Sequence, residues 1–460
     1  MYVLDFDTPC HVHFTGIGGI SMSSLAEILL SKGFTVSGSD AKASAITERL
    51  TALGATIHFG HSADYVPKNT SLLVYTAAVN FSNPELAYAA EHHIALLTRA
   101  ELLGQIMKNY ETAIGVSGTH GKTTTTSMIS QVLLAAQTDP TILVGGIFPT
   151  IGGNTRIGAS GMFITESCEY TNSFLSFAPT LAVILNVKED HLDFFKDIDD
   201  IRLSFRKFAE LLPAHGTLVV NTEIDNYTYF TEGLPCNVVT YGTDATTSRY
   251  YAKNVTFDAQ ARGHYDLMDG NTCLGHIDLG VTGEHNVSNS LAAVAACAAA
   301  GIDFSTIARG IAAYTGTDRR FQHKGSFRGV TVLDDYAHHP DEIATTLKTA
   351  KKCDYKKIWC IFQPHTYTRT KNLLHEFGET LALADHVILT DIYAAREKNT
   401  VGISSLDLKR EVEKYGVPCE YFATFSEVEE FAKKSCSQGD LLITMGAGDV
   451  VNIGEILISE

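Results

Sequence analysis

Short runs of consecutive apolar residues alternate along most of this chain with longer stretches whose apolar positions recur at helical spacing. The runs His11–Thr15, Thr35–Gly38, Thr56–Phe59, Leu72–Thr76 and Ile94–Leu97 predict strands, with helices over 21–32 and 85–91 between them. A second series predicts strands over 112–116, 162–165, 181–185 and 218–221, a helix over 124–136 and an alanine-rich helix over 290–300. A third predicts strands over 330–333, 357–362, 387–391 and 441–445. Strands alternating with helices imply parallel sheets covered by helices, an α/β protein. Residues 231–280 differ, with strand-like runs and turns and little readable chemistry.

The turns at the strand ends carry the candidate chemistry. Gly115 to Thr126 reads Gly-Val-Ser-Gly-Thr-His-Gly-Lys-Thr-Thr-Thr-Thr, a glycine-rich turn between a strand and a helix. Backbone N–H groups in such a turn point at an anion, and the helix adds its positive end. Lys122 would reach the β- and γ-phosphates of a nucleotide and the Thr123 hydroxyl would hold Mg2+. The strict phosphate-loop pattern is not met, because its first glycine would fall on Val116. Gly16-Ile17-Gly18-Gly19, followed by a helix, a strand and Asp40, looks like a dinucleotide fingerprint whose third glycine is replaced by Ser21. Glu166, with Glu169 close behind, ends a parallel strand, a place for a metal-holding carboxylate. His191 follows another buried strand, with Asp190 and Asp193 as orienting neighbours.

Composition narrows the class. With 460 residues the chain exceeds one ordinary core, so two to four domains are expected. A formal charge of −17 argues against a nucleic-acid binder that works by neutralising phosphates. No apolar run approaches the ~20 residues of a membrane span, and Met1–Asp7 lacks the basic start of a leader. Nine cysteines without a Cys-x-x-Cys pair fit a reducing cytoplasm.

Gly118-Thr119-His120-Gly121-Lys122-Thr123-Thr124 resembles the ATP loop of the Mur ligases. Gly16–Gly19, Ser39-Asp40, Thr76-Ala77-Ala78 and Arg99-Ala100-Glu101 resemble the N-terminal motifs of the alanine-adding branch of that family. Asn186 to Asp193 is similar to its Asn-x4-His-x-Asp element, Gly283 to Asn289 to its Gly-x-His-Asn-x-x-Asn element, and Gln363 to Thr370 to its amino-acid loop.

The resemblance implies three α/β domains: a Rossmann-like UDP-sugar-binding domain over 1–108, a central P-loop ATPase domain with a parallel sheet over 109–317, and a C-terminal Rossmann-like amino-acid domain over 318–460. It implies ATP-dependent joining of L-alanine to UDP-N-acetylmuramate through an acyl phosphate, with ATP and Mg2+, in cytoplasmic peptidoglycan precursor synthesis by a monomer or homodimer. The UDP-sugar would lie on Gly16, Ile17, Gly18, Gly19, Asp40 and Asn154. ATP would lie on the loop Gly118, Thr119, His120, Gly121, Lys122, Thr123 and Thr124, with His285, Asn286 and Asn289 on the adenine side and Arg320 and Asp335 from the third segment. Thr123, Glu166 and His191 would hold metal, and Lys122, Glu166, His191 and Arg320 would be catalytic. His365 and Arg369 would receive the amino acid.

Two positions depart from the family. Thr366 stands where many members have Arg. Arg206, beside Lys207, stands where sister ligases carry a carbamylated lysine, and a guanidinium could serve there only as a direct cation. Three alternatives stay open: a ligase recycling a whole tripeptide onto the same sugar nucleotide, an NAD-dependent oxidoreductase using Gly16 to Asp40, and a non-catalytic nucleotide-binding regulator.

Overall fold

β1 (His11–Thr15), β2 (Thr35–Asp40), β3 (Thr56–Phe59), β4 (Leu72–Tyr75) and β5 (Ala95–Thr98) make one sheet in the order β3-β2-β1-β4-β5. Every pairing in it is parallel. The strand order reverses at β1, so the glycine turn after β1 opens where α/β sheets receive ligands. These observations come from a computed structural model that describes residues 2–76, 79–192, 194–395 and 397–459. Ala77, Ala78 and Asp193, singled out above, lie outside the described residues. Two further short helices join these strands, Ala45–Ala52 and Arg99–Met107. Each starts with a reciprocal capping box, Ser44 with Thr47 and Thr98 with Glu101.

A second sheet contains β6 (Thr112–Ser117), β7 (Thr141–Phe148), β8 (Gly153–Arg156), β9 (Met162–Glu166), β10 (Leu181–Ile184), β11 (Thr217–Asn221) and β12 (Asn237–Gly242), in the order β12-β11-β10-β6-β9-β7-β8. β6 sits between β10 and β9, parallel to both. The helix after β6 begins at Lys122, not Thr124. Its first turn is polar, so apolar spacing could not reveal it.

One buried apolar cluster runs through both sheets, from Val12, Phe14 and Leu25 through Leu103 and Ile106 to Phe163, Phe174 and Ala182. Helix Arg99–Met107 joins them. Its Gly104 passes so close to Ser176 that a Cβ would stand 1.8 Å from the Ser176 carbonyl oxygen. These parts form one compact unit, residues 1–145, 153–241 and 292–307. The division expected at 108/109 therefore falls within a shared core.

The second unit comprises residues 146–152, 242–291 and 308–460. β13 (Tyr250–Phe257), β14 (Arg262–Asp269) and β15 (Thr272–Thr282) pair antiparallel in sequence, which explains the broken pattern of 231–280. β16 (Gln322–Phe327), β17 (Val330–Asp335), β18 (Ile358–Phe362), β19 (His386–Leu389), β20 (Cys419–Tyr421) and β21 (Leu441–Met445) form a sheet in the order β16-β17-β21-β18-β19-β20. Only the β16–β17 pairing is antiparallel. Separate apolar layers, one with Ile343, Phe362 and Phe377 and the other with Val332, Ile361 and Leu457, cover this sheet. Strands buried on both faces read as unbroken apolar runs, as Ile358–Phe362 does. Among the described residues no helix is long and apolar enough to cross a membrane.

Candidate active site

In the first unit, the turn between β6 and helix Lys122–Ala135 needs two glycines. Gly118 has φ +145° and Gly121 +83°, and a Cβ on Gly118 would stand 2.8 Å from that of Leu185. Asn186, at the end of β10, pins the loop. Its Oδ1 accepts from the His120 N–H at 2.9 Å, its Nδ2 donates to the His120 carbonyl at 3.0 Å, and its own carbonyl accepts from the Thr119 N–H at 3.2 Å. The Lys188 N–H adds a bond to Thr119 Oγ1 at 2.9 Å. Sequence reading quoted Asn186 as part of a motif without giving it this role. The available signal was a polar amide ending the strand beside the loop strand.

Lys122 folds back over the loop. Its Nζ donates to the carbonyls of Gly118 (2.5 Å) and Thr119 (3.1 Å) and to Glu169 Oε2 (3.0 Å). Burial works against the ammonium, but the Glu169 carboxylate beside it and Glu166 farther off lift its pKa above the ordinary lysine value. Thr123 Oγ1 donates to Glu166 Oε2 at 3.0 Å, and the Gly145 N–H donates to Glu166 Oε1 at 2.5 Å. The two oxygen groups expected to share a metal are thus in contact. A hydroxyl and a carboxylate at the mouth of an anion-binding loop suit Mg2+, a hard cation that keeps few protein ligands and binds alongside phosphate. His191 sits at φ +54° on the loop after β10. Its ring packs on Tyr170 with centroids 4.5 Å apart, and Nε2 lies 3.8 Å from Asp190 Oδ2, the orienting acid the sequence named. Arg206 is held by protein groups. Its guanidinium donates to Glu210 Oε1 (2.8 Å) and to the carbonyls of Tyr229 (2.9 Å) and Glu232 (2.7 Å), which ties its helix to the segment that follows.

The glycine turn after β1 is held from β2. The Gly16 and Ile17 N–H groups donate to the Ser39 carbonyl at 2.8 and 3.0 Å, and the Gly18 N–H donates to Asp40 Oδ2 at 2.8 Å. Asp40 therefore shapes the turn. Asn154, far along the chain, reaches the helix that follows the turn: its Nδ2 donates to Ser24 Oγ at 3.3 Å. Arg99 Nη1 donates to Ser21 Oγ at 3.2 Å. Behind the turn, Glu85 is fully buried and accepts from Thr15 Oγ1 (2.7 Å), Ser39 Oγ (2.7 Å) and His13 Nε2 (3.2 Å). Sequence reading saw Glu85 only as the start of a helix.

The second unit holds the remaining candidates. Asn286 Nδ2 donates to the Thr282 carbonyl at 2.7 Å, and Asn289 Nδ2 donates to Asn286 Oδ1 at 2.9 Å, so the two amides share a face as their spacing implied. Burial, then the charge of Arg320, pushes His285 down to about 4, so its ring is neutral at pH 7. Asp335 accepts from the N–H groups of Ala337 (2.8 Å) and Phe321 (3.0 Å) and from Thr346 Oγ1 (3.1 Å). Burial outweighs these donors and the Arg320 charge and pushes its carboxyl up to about 6. The adjacent arginines divide: Arg319 is tied to Asp334 (2.9 Å) and to the carbonyls of Gly448 (2.9 Å) and Gly446 (2.6 Å), whereas Arg320 lies 3.9 Å from Glu342. His365 and Arg369 meet, Nδ1 to Nη1, at 3.4 Å. The His365 ring stacks 5.7 Å from Tyr393, and Thr366 is held at φ +68°, a strained value for a β-branched residue.

Comparison with known proteins decides the family. Residues 11–111 match the Mur ligase family catalytic domain, 116–297 the Mur ligase middle domain and 319–448 the Mur ligase glutamate ligase domain. The UDP-N-acetylmuramate–L-alanine ligase of Lachnospira eligens is 55% identical over 458 residues, 100% of each chain. The chain belongs to the Mur ligase family. The enzyme of the same name from Acetivibrio thermocellus is 48% identical over 100% of this chain and 97% of its own. Among solved Mur ligases, the UDP-N-acetylmuramate–alanine ligase of Thermotoga maritima superposes with a TM-score of 0.79 at 28% identity, covering 98% of each chain. The murein peptide ligase of Psychrobacter arcticus has a TM-score of 0.72 at 22% identity over 98% of each chain, a likeness of fold. The three matched regions follow the three segments of the sequence, and the glycine turn of Gly16 to Gly19 lies in a Mur ligase domain, which leaves the oxidoreductase reading without support.

Proposed function

We infer that this Mur ligase joins L-alanine to the lactyl carboxylate of UDP-N-acetylmuramate with cleavage of ATP to ADP and phosphate, a step in peptidoglycan precursor synthesis. The observation that carries this is end-to-end identity of 55% with a ligase of that name. In this reading the carboxylate attacks the γ-phosphoryl and ADP leaves. The amine of L-alanine then attacks the acyl phosphate carbonyl and phosphate departs.

The residues supply what that chemistry asks. Phosphoryl transfer depends on positioning and charge neutralisation. Thr119 and His120 spend their N–H groups on Asn186, so the N–H groups of Gly121 to Thr124, at the helix start, would meet the phosphates, and Lys122 would move from Glu169 to them. Thr123, Glu166 and His191 would hold Mg2+, which supplies charge neutralisation between two anionic reactants. Arg320 would face the transferring phosphoryl, and Asp335 and the His285, Asn286 and Asn289 group would hold the nucleoside. Gly16 to Gly19, Asp40 and Asn154 would hold the UDP-sugar. Arg369 would pair with the L-alanine carboxylate, with His365 as its neutral neighbour. In this reading the UDP-sugar, ATP and amino-acid functions divide over 1–108, 109–317 and 318–460, the first two segments sharing one core. In this reading the enzyme works in the cytoplasm, as a monomer or homodimer.

The test is phosphate release from Mg-ATP and UDP-N-acetylmuramate with no amine, with L-alanine, or with the L-Ala-γ-D-Glu-diamino-acid tripeptide. Release that needs L-alanine and disappears in Lys122→Ala is expected. Release with the tripeptide alone would move the protein to the recycling branch.

A further inference from the structure

β14 and β15 carry a square of alternating histidines and aspartates that the ligase chemistry leaves unused. The register pairs His264 with Asp278 and Asp266 with His276. Residues two apart on a strand share a face, so all four side chains emerge on one side of the ribbon. Asp278 Oδ1 stands between the rings, 2.6 Å from His264 Nδ1 and 3.5 Å from His276 Nε2. One ligand atom from each of His264, His276 and Asp278 lies within 4.8 Å of the others. The far nitrogens also face acids. His276 Nδ1 bonds Asp266 Oδ1 at 2.9 Å, and His264 Nε2 lies 3.7 Å from Asp258 Oδ2. Those acids are held in turn, Asp266 by Asn254 Nδ2 (2.8 Å) and Asp258 by Arg262 Nε (2.7 Å).

We propose that His264, His276 and Asp278 form a binding site for a divalent transition metal ion of the zinc type, which clips β14 to β15. A simple pair of surface His–Asp contacts needs one acid per ring. Here each ring has one nitrogen at the shared Asp278 and the other at a separate carboxylate. That is the arrangement by which metal-bound imidazoles are oriented. Bonds of about 2.0–2.2 Å around a tetrahedral ion put its donors roughly 3.3–3.5 Å apart. The His276–Asp278 gap already has that size, and the His264–Asp278 gap opens by under about 1 Å when the ion replaces the bridging proton. Two imidazoles and a carboxylate suit zinc over Mg2+, which prefers oxygen ligands. Water completes the shell, because the cluster is open to solvent.

The experiment is zinc titration by calorimetry on the full chain, stripped with chelator and kept in excess Mg2+. His264→Gln and His276→Gln are compared with the parent protein. Each single variant is expected to bind one zinc fewer than the parent while retaining L-alanine-dependent phosphate release. Asp266→Asn should keep the site and weaken it about 10–100-fold. Equal zinc stoichiometry and affinity in the parent and both histidine variants would overturn the proposal, as would a parent that binds no zinc.

Discussion

Lys122 and Glu169 form a nearly sealed ion pair, Nζ 3.0 Å from Oε2, with side chains 15% and 3% exposed. The lysine of this glycine-rich turn is thus neutralised from within, and in the proposed ligase a nucleotide would draw it away. Removing it strands a buried carboxylate. Lys122→Ala should lower unfolding free energy by about 3 kcal/mol and phosphate release by roughly 10³-fold. Lys122→Met combined with Glu169→Gln leaves no charge buried there, so it should recover most of the stability and none of the activity. Denaturant unfolding beside phosphate assays separates the two effects. A double variant as unstable as Lys122→Ala would sink this account.

Asp335 predicts a pH effect of definite sign. Its folded pKa of about 6 exceeds the ordinary value of 3.8. The folded state therefore binds its proton more tightly, and this group's contribution to stability falls as pH rises from 3.8 to about 6. The difference is about 3 kcal/mol. Asp335→Asn should flatten that part of the stability profile between pH 4 and 6. If the ionised carboxylate serves the nucleotide, ligase activity has an acid limb near pH 6. Overlapping profiles of parent and variant would refute the assignment.

Burial, then His338 and Arg369, hold His365 down at about 4. It is neutral at pH 7, so Arg369 carries the positive charge of the pair. Arg369→Ala should raise the KM for L-alanine about 10–100-fold, the worth of a charge-assisted bond to a carboxylate, with the KM for ATP unchanged. Arg369→Lys should recover only part, because it loses the two-pronged contact. Equal rises in both KM values would place Arg369 elsewhere.

Glu85 tests the frame of the N-terminal glycine turn. Burial pulls its carboxyl upward, but donors from His13, Thr15 and Ser39 prevail and hold it at about 2, below the ordinary value of 4.5. Its stabilisation of about 3 kcal/mol is complete above pH 4.5 and is lost as pH falls through about 2. Glu85→Gln puts an amide donor among donors and should lower the urea midpoint by the equivalent of about 2–3 kcal/mol without changing m. An unchanged midpoint would show that the carboxylate is dispensable.

Much of this was legible locally. The strands at 56–59 and 11–15 appear where apolar runs put them. The phosphate loop was readable because its glycines, lysine and helix start are contiguous. The short helix Ala45–Ala52 was not, because Ile46 and Leu50 are its only large apolar positions, whereas Arg99–Met107 carries a local signal, Leu102, Leu103, Ile106 and Met107 at helical spacing behind the Thr98–Glu101 capping box. Thr123 and Glu166 could be paired in advance, since both stand at the ends of neighbouring elements.

By itself the sequence determined the α/β alternation, the glycine turns and the order of the motifs, because each depends on backbone preferences and burial over a few residues. Tertiary structure alone decided which partners each polar group finds. Arg319 and Arg320 are neighbours of one type, yet one is bound to the Gly446 and Gly448 carbonyls and the other lies 3.9 Å from Glu342 and over the Tyr336 ring. Arg206, a candidate cation by its place in the sequence, is bonded to the Tyr229 and Glu232 carbonyls. The His264–Asp278 square exists only in one register of β14 on β15, and a slip of one residue would send every other side chain to the opposite face. Such roles depend on partners brought from far along the chain, and no spacing within a motif encodes them.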